Sequence, residues 1–260
     1  MPVRKGTATV LTCALTVALV LTGCAAQRPA ATTPPAGAPA PPAHPSASPG
    51  ARTPDGRDGA NRAPSRIPGV GPRTQARIPH GTGQVLVVSG DDVDGSVATA
   101  VLYERTAAGR WHRTAGPWTG HNALRGWTDD HVADDLRSPI GVFRLGDAGG
   151  RLPDPGARLP YDQDEEFAVT GTGFLDEPLE GSFDYVVAID YNRVPGTSPL
   201  DKERPLGPEK GGGVWIHVDH GGPTQACVSL LREDMRRLLR ALDPAREPVV
   251  VMGPAARLAA

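Results

Sequence analysis

Between Ala25 and about Thr82 the chain carries almost no Ile, Leu, Phe or Tyr, and this gap decides how much of it can fold. The stretch opens AAQRPAATTPPAGAPAPPAHPSASPG and stays rich in Gly, Arg and Pro. With so few apolar side chains to bury, nothing offsets the entropy lost on ordering it. Residues 25–82 therefore read as a linker. Its 58 residues would span about 40 Å as a flexible coil and well over 100 Å if mostly polyproline-like. Folding is expected over 83–253, long enough to bury a core as one domain, with 254–260 as a tail.

The residues ahead of the linker have a different character. Arg4 and Lys5 precede a stretch from Thr7 to Thr22 that is apolar apart from threonines and Cys13, the plan of a secretory signal and too short for a stable spanning helix. It ends Leu21-Thr22-Gly23-Cys24, which resembles a bacterial lipobox. That resemblance implies removal of residues 1–23 and lipidation of Cys24, anchoring the chain to the outer face of the cell membrane, facing the cell wall. The alternative is ordinary cleavage a few residues on and a soluble secreted protein. A net charge of -2 gives no basic footprint for nucleic acid.

The pattern after the linker is that of short strands punctuated by Gly, Pro and Asp. Residues 84–89, 97–104, 111–114, 141–145, 166–170, 185–191, 214–218 and 249–252 all read as strands, which predicts a mainly-β sandwich or barrel. One helix interrupts it. Leu231, Met235, Leu238, Leu239 and Leu242 form an apolar stripe at helical period, Ser229 can cap its start and Pro244 marks its end.

Three cysteines occur, and only Cys227 lies in the folded part. An unpaired thiol is unusual in an exported chain; it is either a small core residue or a reactive one. Placed before a helix start, it would feel the partial positive charge that favours a thiolate, and a nearby His could take its proton. His217, at the end of a strand, is the preferred base. His220, in the turn, would shape the channel or join a proton relay. Loop N–H groups around Ala226 and Cys227 could hold an oxyanion. Asp219 either orients an imidazole or is simply solvated. The run His217-Val218-Asp219-His220 lacks a third zinc ligand, and the acidic runs lack calcium-loop spacing, so no metal is expected. Gly211-Gly212-Gly213 reads as a site lip rather than a phosphate cradle. Trp118 or Trp127 could line a glycan groove but reads first as core.

These residues resemble the L,D-transpeptidase catalytic domain (YkuD-type). Ile216-His217 matches its strand His, Thr224 its Ser/Thr, Cys227 its nucleophile, and Val228-Ser229-Leu230 with the following helix what comes after. Ser138-Pro139-Ile140-Gly141-Val142-Phe143 is similar to its earlier Thr-Pro-x-Gly-x-Phe strand. Gln225 stands where the family usually has His and Ala226 where it has Gly, so a second imidazole would come from His220. The resemblance implies a YkuD-like fold with one helix after the cysteine, a loop of Gly222, Thr224, Gln225 and Ala226 that binds substrate and oxyanion, and no cofactor. It implies acyl transfer on peptidoglycan stem peptides: the thiol attacks the third residue of a tetrapeptide stem, releases D-Ala and passes the acyl group to an amine of a second stem. The alternatives are a thiol carboxypeptidase or amidase, and a wall-binding module without catalysis. A monomer is expected.

Overall fold

The computed structural model describes residues 65–260. The expected signal segment, Cys24 and the linker as far as residue 64 lie outside the described residues. A short helix α1 (Pro72–Gln75) leads into an antiparallel meander of β1 (Gln84–Gly90), β2 (Val97–Arg105) and β3 (Trp111–His121). Then come β4 (Trp127–Thr128), β5 (Ser138–Pro139), β6 (Gly141–Arg144), β7 (Ala148–Gly150) and β8 (Tyr161–Gln163). They are followed by β9 (Val186–Ala188), β10 (Trp215–Val218), β11 (Val228–Leu230), α2 (Arg232–Ala241), β12 (Val249–Pro254) and α3 (Ala255–Leu258). The protein is mainly β. Among the described residues one mixed ten-stranded sheet runs β6-β12-β1-β2-β3-β11-β10-β9-β7-β8, and β4 pairs with β5 separately.

The centre of the sheet is buried on both sides, which explains why β1 and β12 are unbroken apolar runs rather than alternating ones. They pair in parallel, Val85 against Val249 through Gly90 against Pro254. Leu86, Val88, Val250 and Met252 face the main core with Leu102, Ile216 and Val228. Val85, Val87, Val249 and Val251 face a second cluster.

That second cluster corrects the expected domain limits. Ile67, Val70 and Ile78 are buried in it, so the chain is packed well before residue 83. Leu258 from α3 joins them, so 254–260 is part of the fold and not a tail. The Gly71 amide donates to the Leu258 carbonyl at 2.8 Å and the Arg73 amide to the Ala260 carbonyl at 3.2 Å. Gly71 is needed there, since a Cβ would lie 2.2 Å from the Ala259 carbonyl oxygen. Three well-placed apolar residues suffice to order a segment whose composition reads as linker.

Other expectations shift for local reasons. Residues 166–170 do not form a strand; Asp164 accepts from the Glu166 amide at 2.8 Å and caps a 3-10 turn at Glu165–Phe167 that plugs Phe167 into the interior. The strand expected at 185–191 is only the three residues of β9, and the hairpin's second strand extends from Thr114 to His121. Trp118 and Trp127 are buried and line no groove.

Helix α2 follows its stripe. Met235, Leu238, Leu239 and Leu242 are fully buried, each contributing about 1.5–3 kcal/mol of transfer free energy. Leu231 departs from it: it occupies the N-cap position and is exposed. Arg236, Arg237 and Arg240 lie 3.6–3.9 Å from Glu233 on the exposed side, where such pairs add little. Ile67→Ala is expected to cost about 2–5 kcal/mol, read as a lower urea midpoint; an unchanged midpoint would return residues 65–82 to the linker.

Candidate active site

The site is set by the parallel pairing of β10 with β11, in which Ile216 lies against Val228, His217 against Ser229 and Val218 against Leu230. The same register brings Trp215 opposite Cys227, and the Trp215 amide donates to the Cys227 sulfur at 3.3 Å. Alternate residues of a strand share a face. Trp215, His217, Cys227 and Ser229 therefore lie on one face, while Ile216, Val228 and Leu230 go to the core. His217 and Cys227 are diagonal neighbours, and both line one cleft of about 610 Å³.

The position of Cys227 differs from expectation. β11 separates it from α2, which starts at Arg232, and the charge of a helix end fades within one turn. Ser229 is no helix cap either: its hydroxyl donates to Asp219 Oδ1. What holds the cysteine is a pair of hydroxyls. Thr224 Oγ1 donates to the Cys227 carbonyl at 2.7 Å, and Ser138 Oγ donates to the same oxygen at 3.2 Å. Ser138 in turn accepts from the Ala123 amide at 3.1 Å, and Thr224 is tied to Asn122 and Leu124 through its backbone. The Thr224 hydroxyl thus holds the loop from within. Gln225 is exposed and Ala226 half-buried, and both line the cleft beside the sulfur. Gly222 is buried, and its missing Cβ leaves room for a carboxylate, since that atom would lie 2.0 Å from Glu177 Oε1.

Protonation follows from burial. The Cys227 thiol is pushed up to about 11, because burial penalises the thiolate more than the Trp215 amide stabilises it. The His217 ring is brought down to about 4, again by burial, against a raising contribution from the Val218 carbonyl. That carbonyl can only accept, so Nδ1, 2.9 Å away, carries the proton and Nε2 keeps its lone pair. At rest the pair is thus a neutral thiol and a neutral base. Phe183 packs edge-on to both Trp215 and His217, with centroids 5.0 and 5.2 Å away, and the His220 ring stacks parallel to His217 at 5.8 Å. These contacts fix the imidazole plane.

No family model matches the chain. No curated protein matches it either.

From the segment 190–213, Pro199, Leu200, Lys202, Arg204 and the three glycines 211–213 line the cleft. Arg193 is buried between Asp147 and Asp190, at 2.8 and 2.6 Å, and donates to the Thr197 carbonyl at 2.7 Å. Asn192 clasps the carbonyls of Gly207 and Gly211 at 2.9 and 2.6 Å. Gly211, Gly212 and Gly213 all have positive φ and form the lip; Cβ atoms on the first two would strike the His131 ring and the Arg204 guanidinium. Lys202 and Arg204 give this wall positive charge.

The residues singled out by sequence are brought together here, with one division. Asp219 orients an imidazole, but that of His121, 2.7 Å away, rather than His217. Its carboxyl is held low: burial would raise it, and the His121 and Ser229 hydrogen bonds outweigh that. Sequence reasoning missed Ser138 as a prop of the cysteine loop, Phe183 and Trp215 as site walls, and Glu177. Only Ser138 left a local signal, the Ser-Pro step opening its motif.

The buried His217 gives a pH test. Unfolded, the ring binds a proton near 6.5, folded only near 4, so stability present above 6.5 is lost as pH falls toward 4. Urea midpoints at about pH 7 and about pH 4.5 are expected to differ more for the wild type than for His217→Gln. Equal differences would mean the ring titrates normally.

Proposed function

We propose that the described domain is a cysteine-dependent acyltransferase of the L,D-transpeptidase kind, in a YkuD-like β-sandwich, acting on peptidoglycan stem peptides. The observation that carries this reading is the placement of Cys227 and His217 on one face of adjacent strands, lining one cleft. A neutral pair suits it. His217 Nε2 takes the thiol proton as the sulfur attacks the acyl carbonyl, so no thiolate need persist in a buried site. The Ala226 and Cys227 amides, beside the sulfur, supply donors for the oxyanion. His217 then protonates the departing D-Ala amine, leaving a thioester on Cys227. The positive wall at Lys202 and Arg204 suits the carboxylates of a stem peptide.

Anchoring at Cys24 and a linker of some tens of residues would bring such a domain to a polymer outside the membrane. Among the described residues no helix is long and apolar enough to cross one.

Intact-mass measurement after exposure to a tetrapeptide stem or a carbapenem tests the reading. A covalent adduct is expected on the wild type and none on Cys227→Ala. His217→Gln is expected to slow adduct formation by on the order of a hundredfold or more. Binding of wall fragments with no adduct on either protein would replace the enzyme by a binding module.

A further inference from the structure

Beside Cys227 and His217, the cleft is lined by a histidine, His220, that is paired with a carboxylate the acylation chemistry does not use. Residues 171–179 fold back on themselves, the Gly173 amide donating to the Glu177 carbonyl at 2.8 Å and the Leu179 amide to the Gly171 carbonyl at 3.0 Å. This turns the Glu177 side chain inward. Its Oε2 accepts from the Leu175 amide at 2.7 Å, and its Oε1 lies 3.0 Å from His220 Nδ1. Cβ atoms on Gly173 and Gly222 would fall 2.1 and 2.0 Å from that Oε1, so the carboxylate fits only because both positions are glycine. Burial alone would raise the Glu177 carboxyl, but the backbone amides and the His220 ring outweigh it and hold it below the usual range. A carboxylate can only accept, so His220 carries a proton on Nδ1; its Nε2 has no hydrogen-bond partner among the described residues, and the residue lines the cleft that Cys227 and His217 also line.

A transpeptidase has a proton to remove that a hydrolase does not. Its acceptor arrives as an ammonium, because an alkyl amine has a pKa near 10. That cation cannot attack a thioester. We propose that Glu177 and His220 form the acceptor-side dyad of this site: His220 Nε2 removes a proton from the incoming ammonium, and Glu177 positions the ring and compensates its charge. The inference rests on the acyl-transfer reading above. The step balances. One ammonium proton goes to His220, and the freed nitrogen lone pair forms the C–N bond at the thioester carbonyl. As the C–S bond breaks, a second proton passes from that nitrogen through His217 to the departing sulfur, restoring the thiol. The third stays on the new amide, and the His220 proton is released to water. Glu177 touches no reacting atom and is a positioning residue.

The test separates the two half-reactions. Acyl-enzyme formation is followed by intact mass, and its breakdown is followed with and without a small primary-amine acceptor over a range of concentrations. For Glu177→Gln, which leaves the His220 ring on His217, we expect aminolysis to fall about tenfold with acylation affected far less; for His220→Gln, which also removes the ring stacked on His217, we expect aminolysis to fall on the order of a hundredfold, well beyond the loss in acylation. The loss is expected in the rate at saturating acceptor rather than in the acceptor KM, and Glu177→Asp is expected to recover part of it. Acylation and aminolysis falling equally in Glu177→Gln, or aminolysis untouched in either variant, would overturn the dyad while leaving Cys227 an acyl carrier. A wild type that forms no acyl-enzyme would overturn both this role and the reading it rests on.

Discussion

In a parallel pair of strands the side chains of registered residues project to the same face, and their diagonal neighbours follow them. The ladder between β10 and β11 therefore places Cys227 and His217 together without any direct bond between them. Its stability comes from the other face, where Ile216, Val228 and Leu230 are buried against Met235, Leu238 and Leu239 of α2. The helix after the cysteine thus serves the site by packing rather than by its dipole. Shifting the ladder by one residue would send the sulfur into the core and the apolar side chains into the cleft, which burial on that face forbids.

The same burial that fixes the geometry works against a ready-made nucleophile. A thiol raised to about 11 and an imidazole lowered to about 4 are both held in their neutral forms. The compensation is positional. Two hydroxyls hold the Cys227 carbonyl, the Trp215 amide donates to its sulfur, the thiol lies 3.7 Å from the Gly213 carbonyl, and aromatic rings pin His217, so both side chains are held in place on the cleft wall.

Patterns that depend on one element were legible in the sequence. The stripe of α2 and the apolar runs of β1 and β12 needed only periodicity and length, and Cys227 with His217 stood out by residue type. Patterns that depend on distant partners were not. Val228-Ser229-Leu230 is too short to announce a strand, and its proximity to α2 made the cysteine look like part of a helix start. Ile67, Val70 and Ile78 are diluted by Pro, Gly and Arg, and what orders them is the underside of β1 and β12 together with Leu258. Residues 166–170 alternate weakly enough to pass for a strand, yet the Asp164 side chain closes a turn there instead. Glu177 lies forty-three residues from the histidine it meets. No local rule connects them.

Asp219 draws these threads together. As the acidic residue beside His217, it is the natural partner for that ring in a triad-like reading, yet its oxygens are taken by His121, Ser229 and the Gly221 amide. It holds the turn between β10 and β11 and leaves His217 with a backbone carbonyl instead of a carboxylate. The ring is kept weakly basic by burial, which outweighs the raising contribution of that carbonyl. A carboxylate stands instead behind His220, where Glu177 Oε1 lies 3.0 Å from Nδ1. The two imidazoles, alike in type and stacked face to face, thus have different partners behind them, a backbone carbonyl for His217 and a carboxylate for His220.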